Sequence, residues 1–401
     1  MARHTNATSL TKGELRATVS IAAIYMTRLL GLFMIYPIFA HFAKGLPGAT
    51  PRTVGLALGA YGLTQGILQI PFGLLSDRLG RRTMVVIGLA LFCVGSVVAA
   101  MSSSIWGILL GRALQGAGAI GSVLLASVAD VTRTETRTRA MAIVGVSIGF
   151  SFMVAVVVGP VIAVFAGMSG IFWLTAVLAL VGLAMSAVVI PTRETHDVGV
   201  GIAGTRIREL ITNPRLLELD FGIFTMHASL TALFLDVPAI IARSLGLAGG
   251  HEWMLYLPVL VASSVLMVPF IIMAEKHGKM DSIRLLSIAA LGVSELAMVV
   301  LGGSAIAVVV SLTVFFTAFT VLEALLPSAL TKVAPPSAKG TASGLFSSAQ
   351  FIGIFFGGTI GGLALQMGGS TALLVFVLAL TVLWAATQVR LGRSAAEEQR
   401  G

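Results

Sequence analysis

Charge is what this sequence has least of: Asp, Glu, Lys and Arg make up only 11% of its 401 residues, against roughly 25% in an ordinary soluble domain. In water a chain of this length divides into two or three domains, each with a polar skin. This composition cannot supply one. The single cysteine, Cys93, lies inside an apolar run, so no disulfide and no paired-thiol chemistry is expected. Metal-ligand spacings, nucleophile–base arrangements and the phosphate-binding glycine loop of ATPases are missing as well. No enzyme, metal or cofactor is therefore expected, and any energy used must come from an ion gradient.

What the chain has instead is apolar length, with 57% hydrophobic residues and 45 glycines. At roughly 20 residues per crossing there is room for about a dozen membrane helices. Runs long enough to cross lie at 19–42, 54–75, 83–101, 105–129, 140–165, 170–190, 216–242, 252–274, 283–301, 305–330, 341–366 and 370–389. Lipid offers the backbone no hydrogen-bond partner, so these must be helices, and the alternation of a membrane strand is missing. The expected class is an all-α membrane protein of twelve transmembrane helices. The first run has no small-residue cleavage site before Lys44, so it is read as a span that stays attached.

The basic residues set the orientation. With sides alternating at every span, only Lys44, Arg52 and Arg243 fall opposite the N-terminus, and Arg28 and Arg112 lie inside spans, which leaves 21 of the 26 Lys and Arg on one side. That bias places both termini in the cytoplasm of a plasma, or bacterial inner, membrane. Scattered over short segments without aromatic interleaving, these cations do not read as a nucleic-acid surface. The longest polar stretch, 191–215, reads as a cytoplasmic linker between six-helix bundles at 1–190 and 216–401. The chain is expected to act as a monomer with membrane lipid around it.

An internal repeat connects the two bundles. Pro71, Phe72, Asp77, Arg78, Gly80 and Arg81 recur 198 residues later as Pro269, Phe270, Glu275, Lys276, Gly278 and Lys279. Twofold repetition of six helices is how many secondary transporters are built, with the substrate site between the halves near mid-membrane. The first copy, Gly73-Leu74-Leu75-Ser76-Asp77-Arg78-Leu79-Gly80-Arg81-Arg82, closely resembles the signature loop of the major facilitator superfamily. Arg112, Gln115 and Gly116 resemble its conserved-arginine motif. Gly159-Pro160 resembles the start of its antiporter motif, followed here by Val161-Ile162-Ala163-Val164 in place of the family's paired small residues. Leu30-Gly31 with Tyr36-Pro37 looks like the twelve-span drug:proton antiporter subfamily. Over nearly the whole chain, including Glu323-Ala324-Leu325-Leu326-Pro327-Ser328, the resemblance is to the YajR-type efflux proteins, without their extra C-terminal soluble domain. The implied fold is two pseudo-symmetric six-helix bundles.

The signature loop carries a latch in this reading. Asp77 would face the N-terminus of the eleventh helix near Gly340 and Thr341, where free amides and the helix dipole favour an anion. Gly73 permits close approach, Arg78 and Gly80 complete the loop, and the resemblance implies that Arg81 pairs with Asp130 in the outward-facing state. Ionisable groups within spans are functional candidates by cost, about 2.5 to 3.5 kcal/mol each when charged at mid-helix. They are Arg28, Arg112, His227, Glu295 and Glu323, whereas Asp220 and Asp236 read as solvated span ends. His227 lies eleven residues past Leu216, about 16 Å, and Glu323 nine before Lys332, about 13 Å. Both are deep enough for a proton-coupling role, which the buried carboxyl of Glu323 and the imidazole suit by chemistry. Arg28 and Arg112 would line the cavity or neutralise a buried carboxylate. Met and Phe residues, Phe152, Met153 and Met226 among them, recur at helical spacing, most of them for packing or lipid contact; Phe33, Met34, Tyr36, Phe150, Phe224, Phe319, Phe346 and Phe351 are the candidate cavity lining for apolar substrates.

The expected function is proton-coupled efflux, an antiport of amphipathic or cationic small molecules by alternating access. A metabolite or sugar exporter or importer of the same fold is the alternative, disfavoured by the scarcity of Asn and Gln in the spans. A non-transporting receptor or scaffold predicts no substrate flux at all.

Overall fold

The computed structural model describes residues 9–133, 135–190, 203–247, 250–335 and 338–398. Among them every regular element is a helix. In chain order these are α1 (Lys12–Phe33), α2 (Tyr36–Ala43), α3 (Pro51–Leu79), α4 (Arg81–Met101), α5 (Ile105–Ala117), α6 (Gly121–Val131), α7 (Arg137–Val189), α8 (Ala203–Thr212), α9 (Pro214–Leu233), α10 (Val237–Leu245), α11 (Trp253–Lys276), α12 (Met280–Leu301), α13 (Ala305–Val333) and α14 (Lys339–Glu398).

Their ends follow from local chemistry. Thr11 and Glu14 form a reciprocal capping box on α1, at 3.2 and 2.8 Å. The side chain of Asn213 accepts from the amides of Arg215 and Leu216 to start α9, and Pro51 and Pro214 sit at first helical positions. Gly80 and Gly278, the glycines of the repeat, follow α3 and α11 with φ of 88° and 66°, a region that only glycine enters freely. The two longest helices are each interrupted. The backbone leaves helical geometry at Gly167 (φ 62°) in α7 and at Gly369 (φ 64°) in α14, so each contains two helices.

Among the described residues nine segments are long and apolar enough to cross a membrane. Their outward faces are apolar too: Val146, Phe150, Val161, Val164 and Phe165 make an exposed stripe on α7, a surface suited to lipid. Three expected spans are broken helices. The first divides at Met34–Ile35, the fourth at Gly118–Ile120 and the seventh at Phe234–Asp236. In the first and seventh a proline, Pro37 or Pro238, occupies the opening turn of the second piece and removes a backbone donor there. The expected linker at 191–215 holds a helix, α8, and α9 already begins at Pro214, while 191–202 lie outside the described residues.

Helices α1–α7 pack chiefly on one another, as do α9–α14, and the two sets meet mainly along α3 and α14, with smaller contacts of α7 on α11, α2 on α10 and α3 on α9. There the backbones approach where side chains are absent. A Cβ on Gly358 would lie 2.5 Å from the carbonyl oxygen of Gly55, and one on Gly362 2.6 Å from that of Pro51. Small residues permit this closeness between membrane helices. The sets also touch at one end, here the distal end: the Tyr36 hydroxyl lies 3.5 Å from that of Thr231, and the Arg52 amide donates to Gln366 at 3.3 Å. The opposite, basic end carries Glu14, Arg81 and Arg133.

Gly358→Val should force α3 and α14 apart and destabilise the detergent-solubilised protein by about 1 to 3 kcal/mol. Gly344→Ala, where the nearest atom to a new Cβ is Ile70 at 3.9 Å, should be near neutral. Chemical denaturation of both variants checks this, and equal effects would contradict the seam.

Candidate functional site

The interior of α1–α7 is built around two buried arginines. Arg28 on α1 is 1% exposed and Arg112 on α5 0%. Arg28 donates through Nη2 to Gln65, whose amide donates to Gln69 at 2.7 Å. Arg112 donates to Gln115 at 3.0 Å and to the carbonyl of Leu58 at 3.3 Å. Both guanidiniums lie over the Tyr61 ring, 5.7 and 4.9 Å from its centre, attracted by the negative face of the π-system. The expectation that either arginine neutralises a buried carboxylate does not hold: among the described residues neither makes an ion pair. Neutral amides and an aromatic ring hold them instead.

The acids are in the other set. His227 on α9 places Nδ1 3.2 Å from the carbonyl oxygen of Ile223. A carbonyl only accepts, so Nδ1 carries the hydrogen and Nε2 is left as acceptor for the amide of Gln350 on α14, at 2.7 Å. The carboxylate of Glu323 on α13 stands 3.8 Å from the same Nε2, and its side chain is 36% exposed. Sequence reasoning brought forward His227 and Glu323, and the structure brings them together with Gln350, a residue it missed. Glu295 is fully buried on α12 and accepts from Thr381 at 3.1 Å, away from that group.

Asp236 and Asp220 are not solvated ends. Asp236 is 5% exposed and lies 3.9 Å from Arg243, because α10 folds over the break that follows α9. An oxygen of Asp220 is buried without a donor. Glu218, which cost alone should have singled out, accepts from the Trp384 indole at 3.1 Å and faces Arg284 at 3.5 Å.

Aromatic rings cross between the two sets. Phe33 packs edge-on against Phe152 at 5.1 Å, Phe152 lies 6.5 Å from Phe319, and Tyr36 meets Phe234 at 5.6 Å. Phe319 in turn packs against His227 at 5.6 Å. Met34, Phe346 and Phe351 are buried, and Phe224 stays within its own set, stacked on Phe221 and tilted against Phe356. Phe150 is a correction: at 52% exposure it belongs to the outward stripe of α7, and Phe152, rotated to the other face, points inward. Gly159 and Pro160 sit where α7 crosses the α1–α2 break, so close that a Cβ on Gly159 would overlap the Met34 carbonyl.

At the basic end Arg81 bridges two acids of its own set. It contacts Asp77 at 2.5 Å and Asp130 at 3.1 Å, and Arg78 is exposed beside them. Gly73 faces Ser122 at ordinary distance. Asp77 is paired with Arg81 of its own set. In the second copy of the repeat, Glu275 takes a hydrogen bond from Ser328 at 2.8 Å and pairs with Lys332 at 3.3 Å.

The sequence matches the profile of the Major Facilitator Superfamily over residues 21–358. It is 40% identical to the inner membrane transport protein YajR of Escherichia coli K12, over 88% of this chain and 78% of that protein. It is 27% identical to the class E tetracycline resistance protein of Escherichia coli, over 60% of this chain and 58% of that one. Among solved structures, a bacterial homologue of the human lysosomal transporter Spinster, in an inward-facing and occupied conformation, superposes with a TM-score of 0.75 at 15% identity, covering 96% of this chain and 98% of that one.

The Glu218–Arg284–Trp384 group is a structural bridge, and removing one member leaves a charge buried. Glu218→Ala should destabilise the protein by about 3 to 5 kcal/mol in the same denaturation assay. A cost under about 1 kcal/mol, the scale of an exposed pair, would show that the bridge holds nothing.

Proposed function

The chain belongs to the Major Facilitator Superfamily, and from that premise we propose that it is a proton-coupled exporter of amphipathic small molecules working by alternating access. The observation that carries this reading is the His227–Glu323–Gln350 group, a protonatable cluster reached from an aromatic-lined interior between two helix sets. A proton arriving on Nε2 would end its role as acceptor for Gln350 and give Glu323 a donor across the 3.8 Å gap. The geometry of the cluster is thereby tied to its proton count. The surrounding phenylalanines bind apolar surface with little directional demand, which suits efflux better than recognition of a sugar.

The topology in this proposal has twelve crossings: the nine apolar segments, the two extra ones made by the interruptions at Gly167 and Gly369, and α3. The domains are 1–190 and 216–401, pseudo-symmetric through the repeat, with both termini cytoplasmic in the inner membrane. Contacts at the distal end support an inward-facing arrangement in which the interior opens toward the basic, cytoplasmic end; the Arg81–Asp130 pair, implied for the outward-facing state, is already formed in this arrangement and does not distinguish the two states. When that end closes, Asp77 would reach the start of α14. The packing of Ile70, about two helical turns before Asp77, beside Gly344 of α14 supports that reach.

Two outcomes test the proposal. In proteoliposomes, export of ethidium or tetracycline driven by an imposed pH gradient should be lost in Glu323→Gln while equilibrium binding of the same probe persists. Unchanged gradient-driven flux would remove Glu323 from the coupling. Asp77→Asn deletes a charge worth typically about 0.3 to 1 kcal/mol at a helix N-terminus and up to about 2 when partly buried. It should lower the outward-facing population by up to roughly 30-fold. Cross-linking yield between cysteines placed across the basic ends of the two sets measures that population, and an unchanged yield would leave the loop a topology marker.

A further inference from the structure

The charges inside α1–α7 do not balance. Arginine cannot shed its proton in a protein, so Arg28 and Arg112 are permanent cations, both buried. Intramembrane charges normally pair with opposite charge or with backbone carbonyls. Here one carbonyl, that of Leu58, and two glutamine oxygens serve five-donor guanidiniums. Among the described residues Nε and Nη1 of Arg28, Nε of Arg112 and the hydroxyl of Tyr61 have no acceptor. Both guanidinium carbons lie within 5.7 Å of the Tyr61 centre, and that of Arg28 lies 5.7 Å from the Phe92 centre as well, rings that attract the cations but accept no conventional hydrogen bond. In the other set, the Glu323 carboxylate makes its close contact with His227 rather than with either arginine.

We propose that Arg28, Arg112 and Tyr61 form a binding site for a monovalent anionic group, supplied either by a carboxylate on the exported molecule or by a free halide travelling with it. The donor set is of the kind that recognises anions: charge-assisted N–H groups in fixed forks with a phenol hydroxyl beside them. The site is also placed to open and close. Tyr61 is covered from the other set by Phe351, 6.2 Å ring to ring, and Gly62 lies directly beneath the Phe351 backbone. Rocking of the two sets along the α3–α14 seam lifts this cover and exposes the donors to the interior. Gln65 and Gln69 act as spacers that hold the Arg28 fork open without neutralising it. The transport reading supplies only the anion's route. Binding itself is an equilibrium property, tested without flux.

The experiment is a thermal-unfolding titration of the full chain in detergent at constant ionic strength, with sodium methanesulfonate, which has no carboxylate, replaced stepwise by sodium chloride or sodium benzoate. Wild type should show a saturable rise in Tm, because a ligand that binds only the folded state stabilises it. A response to chloride identifies a co-transported halide, and a response to benzoate alone identifies a carboxylate of the cargo; either supports the site. Arg28→Gln and Arg112→Gln should each weaken the midpoint about 10- to 100-fold, the scale of one hydrogen bond to a charged group. Arg78→Gln, at an exposed cation, should leave it unchanged. If the glutamine variants do not yield folded protein, Arg28→Lys, which keeps the charge but loses the fork, should still shift the midpoint about tenfold. No anion response in wild type, or an equal response in Arg28→Lys, overturns the proposal. Loss of pH-driven flux with the anion response intact would instead overturn the proton coupling and leave this site standing.

Discussion

Two helices touch backbone to backbone along α3 and α14, and the arrangement of the interior follows from that seam. Where glycine faces glycine, at Gly55 and Gly358, neither helix has a side chain to keep the other away. The close approach fixes how deep each set sits against the other. It brings Phe351 over Tyr61 and Ile70 beside Gly344. A seam of this kind makes many dispersion contacts but interlocks little, so it can serve as the surface along which two rigid sets rock. Large side chains at the same positions would give either a wider gap or a fixed one.

The interior electrostatics are divided between the two sets. Cations without acids occupy α1–α7, at Arg28 and Arg112, while α9–α14 hold acids at Glu218, Glu295 and Glu323, of which only Glu218 has a close arginine. The two sets therefore differ in the sign of what they bury: permanent cations in one, carboxyls able to take up a proton in the other.

Much of the scaffold was legible because lipid imposes it. Crossing segments must be apolar and helical, and the basic loops stand out against so little other charge. The breaks within the first, fourth and seventh spans were hidden for the same reason: the residues on either side of Met34, Gly118 and Phe234 are as apolar as the helices, so hydropathy runs straight through them. Cost arguments found His227, Glu323 and the two arginines, since a charge in a span needs a reason. They could not find Gln350, because an amide is cheap enough to pass unnoticed, and they misplaced Asp236, whose burial depends on how α10 folds back. Phe150 and Phe152 were indistinguishable in sequence. In a membrane protein both the lipid face and the cargo-facing interior are apolar, so the periodic contrast that sorts a soluble helix is lost.

The central claim is that two rigid sets rock about the α3–α14 seam under control of the proton on the His227–Glu323 group. It is tested most directly by measuring both ends of the molecule at once. Spin labels at Arg139 and Lys339 span the basic end, and labels at Lys44 and Arg243 span the distal end, with Cys93 replaced by Ser; all four labelled positions are exposed. In proteoliposomes stepped from alkaline to acidic pH, the account predicts that one distance lengthens as the other shortens, and that Glu323→Gln abolishes the pH response of both. Distances that stay fixed, or that lengthen and shorten together, would contradict it.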